Sequence, residues 1–153
     1  MTRTQVREHI FKLLFRVEFN SLKDMPEQLT LYFEDSIRDE EDELLSVGAD
    51  IPEDDAEYIR GKYADIMDKL SDIDELINKA AKGWNTQRIG KVELAILRLA
   101  VYEVVYDDNV PAGVAIDEAV DLAKKFGQEG ASSFVNGILA GVLKIDNKGD
   151  SED

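Results

Sequence analysis

Apolar residues recur every three or four positions along most of the chain, the spacing that predicts amphipathic helices. In the first such segment, about 3–20, Val6, Ile10 and Leu14 share one face. Segments with the same period follow at about 26–46, 53–82, 91–106, 112–126 and 132–145. No stretch shows the two-residue alternation of a strand, and each of the 3 prolines stands where a helix could begin or a loop end. The sequence therefore predicts an all-α fold.

Two of these segments carry information about packing. The segment "KVELAILRLAVYEVVY" (91–106) is apolar nearly all round, so we predict that it is the central, most buried helix. The last segment contains Gly137 and Gly141, although a glycine inside a helix costs about 0.5–1 kcal/mol relative to alanine. We interpret them as a small-residue face that lets segment 91–106 approach closely. Ser132 or Ser133 is the predicted N-cap of this last segment.

The length of 153 residues suits one ordinary domain, which we place at 1–146, followed by a disordered acidic tail at 147–153. The absence of cysteine excludes disulfides and thiolate metal sites. The N-terminus is charged and lacks the apolar core of a signal peptide, and no apolar run reaches the roughly 20 residues of a membrane span. These features predict a soluble, cytoplasmic protein with no membrane partner.

The chain is strongly acidic, but its charge is unevenly distributed. The formal net charge of −15 argues against a general nucleic-acid binder. Residues 24–75 hold 19 acidic and four basic side chains, whereas residues 1–23 hold five basic and two acidic ones. A local basic surface can still act, because salt screens charges that lie more than about 8 Å away.

The sequence lacks a recognisable catalytic constellation. His9 is the single histidine and has no cysteine partner or evident triad, so we expect it to be structural. No phosphate-binding loop, dinucleotide fingerprint, HExxH or GxSxG motif occurs. The stretch "GQEG" (127–130) matches the GXXG loop of a KH domain, but such a domain also needs strands. We therefore predict that the protein is not an enzyme and has no catalytic residue, metal site or cofactor.

The first helical segment presents aromatic and basic side chains beside its apolar stripe. They are Arg3, Arg7, Phe11, Lys12 and Phe15. Aromatic rings stack on unpaired bases, and lysine and arginine contact phosphates. The pattern is therefore that of a surface for single-stranded RNA. The alternative is that Phe11 and Phe15 pack beneath another helix and that the cations are ordinary surface residues.

The second half of the chain resembles the NusB family of transcription antitermination factors. The resemblance rests on a tryptophan followed by an arginine, the helix "ILRLAVYE", a proline, the helix pattern EAVxLAKxFG and "FVNGxL", in that order. The matching residues are Trp84, Arg88, Arg98, Glu103, Pro111, Glu118, Lys124, Phe126, Gly127, Phe134, Asn136 and Gly137. The start "REHIFKLLF" (7–15) also resembles the family's first helix. The likeness covers nearly the whole chain and is weakest over 24–75.

The resemblance implies a compact single domain of two small helical bundles and an RNA-binding function. Family members bind single-stranded boxA RNA of ribosomal RNA operon transcripts together with a small-subunit ribosomal protein acting as NusE. They thereby help RNA polymerase read through terminators within an antitermination complex. The implied RNA-binding residues are Arg3, Arg7, Phe11, Lys12, Phe15, Phe126, Gly130 and Phe134. Glu93 is the implied partner-binding carboxylate.

This sequence departs from the family pattern where cations would contact RNA. The consecutive arginines that often precede the family's first helix are reduced here to Arg3 and Arg7, and Ser133 stands where a lysine is frequent. Because each lost phosphate contact weakens binding, we predict weak RNA binding alone, strengthened by the ribosomal partner. A homodimer stays open, because some relatives self-associate through the surface that would otherwise meet RNA or partner.

Two rival functions also stay open. The chain could be an acidic helical module that binds a basic protein through 24–75 and has no role with RNA. It could also be a detached RNA-binding portion of a ribosomal RNA cytosine methyltransferase, since such enzymes carry a similar helical domain. No glycine-rich cofactor-binding loop follows it in this sequence, so it would then be only an appendage.

Overall fold

The computed structural model describes residues 1–34, 51–83 and 85–150, with side chains as far as residue 146. All regular structure in these ranges is helical: α1 (Arg3–Arg16), α2 (Met25–Glu34), α3 (Glu53–Asp68), α4 (Leu70–Ala80), α5 (Lys91–Tyr106), α6 (Ala112–Phe126) and α7 (Ala131–Asp150). The prediction of an all-α fold is confirmed. The helices belong to two compact units, Met1–Met67 and Asp68–Asp153, in agreement with the two bundles that the resemblance implies.

The first unit begins with a reciprocally capped helix. The Gln5 backbone N–H donates to the Thr2 hydroxyl at 3.1 Å, and the Thr2 backbone N–H donates to the Gln5 side-chain oxygen at 2.9 Å. This capping box satisfies N–H groups that the first turn of a helix otherwise leaves unpaired. The predicted apolar stripe of α1 is buried, and Ile10 and Leu14 are fully enclosed. The cap therefore fixes where α1, and with it the candidate RNA surface, begins.

His9 connects α1 with α2. Its Nδ1 atom lies 2.6 Å from the Tyr32 hydroxyl oxygen, and the two rings meet edge to face with their centroids 5.8 Å apart. Tyr32 is fully buried, and His9 is half-buried. Burial of the ring, and secondly the Lys12 ammonium, lower the pKa of His9 from 6.5 to about 4. These contacts agree with the expected structural role of His9.

We expect His9 to make the fold less stable in acid. Because its pKa is lower in the folded chain, the unfolded chain binds more protons between about pH 6.5 and pH 4. The contribution of neutral His9 is complete above pH 6.5 and is lost as the pH falls through 4, by about 1–2 kcal/mol after allowance for partial exposure. Urea unfolding near pH 7 and pH 4.5 measures this loss. It should be smaller in His9→Gln, and equal losses in the two proteins would contradict the account.

The single helix predicted at 53–82 is wrong, because the structure divides it into α3 and α4 at Lys69. Lys69 has φ −103° and ψ 9°, and no side chain caps α4 there. The apolar residues keep helical spacing through the break, with Ile66 on one side and Ile73 on the other, so the pattern contains no sign of it. Of the segment predicted at 26–46, α2 covers the part up to Glu34, and the remainder lies outside the described residues.

The second unit is built around α5, as predicted. Its residues from Leu94 to Glu103 are buried without interruption, and α5 packs against α4, α6 and α7. A helix enclosed on all sides needs apolar residues all round its circumference, which is what this segment supplies. Arg98 is the buried cation of this helix and pairs with Asp74 of α4.

The two glycines of α7 have different surroundings, and the predicted small-residue contact is wrong in two respects. A β-carbon on Gly141 would lie 3.2 Å from Ala80 Cβ and 3.5 Å from the Ala80 carbonyl oxygen, so the close neighbour is α4 and not α5. A β-carbon on Gly137 would have nothing within 4 Å. The predicted serine cap is also wrong, because α7 begins at Ala131, and Ser132 and Ser133 lie inside its first turn.

The different surroundings predict opposite effects of alanine. Gly137→Ala should raise the free energy of unfolding by about 0.5–1 kcal/mol, since alanine restricts the unfolded chain and meets no neighbour. Gly141→Ala should bring no gain, because its methyl group presses on Ala80 and on the backbone of α4. Urea unfolding of the two variants tests this. An equal gain in both would show that the contact with α4 tolerates a methyl group.

The C-terminal tail predicted at 147–153 is only partly described. The backbone of 147–150 continues α7, and residues 151–153 lie outside the described residues. The disorder of the tail stays a prediction.

Candidate RNA interface

The structure places the predicted residues of α1 at very different depths. Arg3 is exposed and Phe15 is half-buried. Arg7 and Lys12 are each only 4% exposed, and Phe11 is fully buried. The Lys12 ammonium lies 3.9 Å from a Glu8 carboxylate oxygen one turn away. Contact of Arg7, Phe11 and Lys12 with RNA stays a prediction, and their burial does not support it.

Phe11 and Phe15 have separate roles in this arrangement. The rings lie with their centroids 6.4 Å apart, with Phe11 inside the core and Phe15 at its edge. A fully buried ring cannot stack on a base without moving, so the packing alternative describes Phe11 in this conformation. Phe15 retains an accessible part and is supported from beneath.

Phe19 is an aromatic residue at this surface that the sequence reading missed. It follows the C-terminal end of α1, and its ring meets Phe15 edge to face with the centroids 4.9 Å apart. Its side chain is 59% exposed. The four-residue spacing of Phe11 and Phe15 continues to Phe19 and could have indicated it. The sequence does not show that the Phe19 ring is exposed to solvent beyond the end of the helix.

The loop between α6 and α7 lies in the second unit and carries the other predicted residues. The Gly127 backbone N–H donates to the Ala123 carbonyl at 2.9 Å and so closes α6. A β-carbon on Gly127 would lie 2.6 Å from Ala131 Cβ, and Gly130 has φ +87°, a conformation that favours glycine. Both glycines are therefore needed to turn the chain from α6 into α7.

Two half-buried phenylalanines flank this turn, Phe126 at the end of α6 and Phe134 in the first turn of α7. The Phe134 backbone N–H donates to the Gly130 carbonyl at 3.1 Å. The Lys125 ammonium lies 5.2 Å from the centroid of the Phe126 ring. The turn itself is exposed at 128–130, so this end of the unit presents backbone groups, aromatic edges and a cation together.

Glu93 lies in the first turn of α5. A β-carbon on Gly90 would lie 2.5 Å from Glu93 Oε2, so the carboxylate is folded back over the glycine that begins the helix. A carboxylate in this position stabilises the positive end of the helix dipole. Glu93 is half-buried and keeps an accessible part for a partner. Its partner-binding role stays a prediction.

Several residues and functions named from the sequence can be placed only in part. Trp84 and the largely acidic stretch 35–50 lie outside the described residues. Among the side chains that are described, no group of three or more histidine or carboxylate residues could hold a metal ion. No helix within 1–34, 51–83 or 85–150 is both long and apolar enough to cross a membrane.

Comparison with known proteins covers nearly the whole chain. The sequence profile of the NusB family matches residues 4–144. The transcription antitermination protein NusB of Lachnoclostridium phytofermentans is 43% identical, over 94% of this chain and 99% of that protein. The NusB structure from T. maritima superposes with a TM-score of 0.75 and 30% identity, over 100% of this chain and 99% of that one.

A further solved structure is similar to this chain as part of a complex. In the crystal structure of the antitermination factors NusB and NusE with double-stranded RNA, the matching chain has a TM-score of 0.67 and 27% identity. The match covers 95% of this chain and 99% of that one. The family profile, the sequence identity and the fold agree over nearly the full length, and this chain belongs to the NusB family.

Proposed function

We propose that this protein is a cytoplasmic transcription antitermination factor that binds boxA RNA of ribosomal RNA transcripts together with a small-subunit ribosomal protein acting as NusE. The observation that carries the proposal is the near full-length similarity to antitermination proteins, 43% identical in one case. The similar chain in a complex of NusB and NusE with double-stranded RNA supports RNA and NusE as partner classes. The protein would act within the antitermination complex of RNA polymerase.

In the first unit, the proposed RNA contacts are the aromatic pair of Phe15 and Phe19 at the C-terminal end of α1 and Arg3 at its N-terminal end. The rings are held edge to face at 4.9 Å, and Phe19 is exposed, so a base can stack without rearrangement of the core. Arg3 is exposed in the first turn of α1 and supplies a cation for phosphate. Phe11 is a packing residue in this proposal and supports the Phe15 ring.

In the second unit, the proposed RNA surface is the α6–α7 turn. Phe126 and Phe134 have partly accessible rings on either side of the turn. Gly130 has no side chain and leaves the backbone there accessible to an RNA strand. Glu93 is the proposed contact to the ribosomal protein. A carboxylate suits a partner of that class because ribosomal proteins are usually basic, and the charge of −15 on this chain favours their encounter.

Transcription through a terminator tests the function directly. A template with boxA upstream of an intrinsic terminator is transcribed by RNA polymerase with the other antitermination factors, with and without this protein. We expect the protein to increase the fraction of read-through transcripts, and a scrambled boxA to abolish the increase. Read-through that does not depend on this protein or on boxA would contradict the proposal.

A further inference from the structure

The cations of α1 are mostly unavailable to a phosphate backbone. Arg7 and Lys12 are each 4% exposed. Arg16 is half-buried, and its guanidinium lies 5.3 Å from the centroid of the Tyr32 ring. Arg3 is the exposed cation of this fully described helix. The first helix of this chain therefore has little accessible positive charge, whereas family members often have several arginines there. RNA phosphates would need cations elsewhere on the protein.

The end of α6 supplies such cations. Lys124 and Lys125 are both exposed in its last turn, immediately before the proposed RNA-binding turn. Lys124 belongs to the EAVxLAKxFG pattern, whereas Lys125 occupies the second variable position of that pattern. The family pattern leaves position 125 open, and this chain has a lysine there.

Lys125 is also placed beside an aromatic ring. Its ammonium lies 5.2 Å from the centroid of the Phe126 ring, within the range of a cation–π contact. Proteins that bind single strands combine rings that stack on bases with cations that track the backbone. The position of Lys125 at the C-terminal end of a helix also suits the helix dipole, and that stabilising role would not involve RNA.

We propose that Lys125 binds a phosphate of the RNA strand whose base contacts Phe126, and so replaces part of the positive charge that α1 lacks. The inference rests on the proposed RNA-binding function. An ammonium on a flexible stem acts as a point charge that can follow a strand without a fixed geometry. The Glu129 carboxylate in the turn reduces the local positive charge, and the neighbouring Lys124 ammonium compensates for that carboxylate.

The test is fluorescence anisotropy with a labelled boxA-like single-stranded RNA, at several salt concentrations, with the full chain and the ribosomal partner present. Lys125→Gln should weaken binding about fivefold, and it should lower the slope of log K against log salt by about 0.7, the value for one phosphate contact. Lys125→Arg keeps the charge and should retain both the affinity and the slope.

Lys144→Gln is the matched control. It removes the same charge from an exposed position on α7, about 20 Å along the helix axis from the turn. If Lys125→Gln binds RNA no more weakly than Lys144→Gln, with the same salt slope, Lys125 makes no phosphate contact and the inference is wrong. If the unaltered protein binds no RNA with its partner present, the proposed function fails, and this inference fails with it.

Discussion

Asp74→Ala is expected to lower the free energy of unfolding by about 3 kcal/mol. The two Asp74 carboxylate oxygens accept from Arg98 Nε and Nη2, each at 2.9 Å, in a bidentate pair that connects α4 with α5. Arg98 is buried, and Asp74 is partly exposed. Removal of the carboxylate takes both of these charge-assisted hydrogen bonds away from a buried guanidinium, and they help to offset the cost of burying it. Urea unfolding measures the loss.

The next residue along α4 provides a control for this prediction. Glu75 lies 3.3 Å from the Lys79 ammonium one turn later, and both side chains are exposed. Because an exposed pair on one helix contributes little, Glu75→Ala should change the free energy of unfolding by less than about 0.5 kcal/mol. Similar losses in the two variants would mean that the Asp74–Arg98 pair carries no special share of the stability.

Phe15→Ala is expected to weaken RNA binding by about 10-fold to 100-fold, the effect of losing one stacked base. Phe19→Ala should weaken binding in the same range, because its exposed ring completes the edge-to-face pair. Anisotropy with a boxA-like RNA and the ribosomal partner measures both. The unfolding midpoint of each variant should also be measured, since Phe15 is half-buried and packs near Phe11.

Tyr58→Ala is the control for the aromatic pair. Tyr58 is an exposed aromatic residue on α3 of the same unit, far in sequence from Phe15 and Phe19, and so controls for the loss of an exposed ring alone. Its removal should leave RNA affinity unchanged. If Phe15→Ala and Phe19→Ala retain full affinity while folded, or if Tyr58→Ala loses as much, α1 is not the stacking surface.

The sequence predicted which segments form helices better than it predicted which helices pack against one another. The segment at 91–106 could be recognised as central because its apolar residues occupy every side of the helix, a property of the segment alone. The break at Lys69 could not be recognised, because the apolar spacing runs through it unchanged. Gly141 could be identified as a close contact, but its partner Ala80 belongs to α4, and spacing along one helix does not identify the helix opposite.

The candidate site was predictable to a similar degree. The helical angles placed aromatic and basic residues on one flank of α1, but an angle does not say how far the neighbouring chain covers that flank. Arg7, Phe11 and Lys12 are covered, whereas Phe15 remains at the edge. The location of Phe126 and Phe134 on either side of a turn followed from the resemblance, and the need for Gly127 and Gly130 there is explained by space and by φ.

The measurement that tests the central claim most directly is the affinity for boxA-like RNA with and without the small-subunit ribosomal protein, against a scrambled RNA, by fluorescence anisotropy at two salt concentrations. The account predicts micromolar or weaker binding by this chain alone, clear tightening when the partner is added, and rejection of the scrambled RNA. Absence of binding to either RNA with the partner present would contradict the account and favour an acidic protein-binding module. Submicromolar binding by the chain alone at physiological salt would contradict the predicted dependence on the partner.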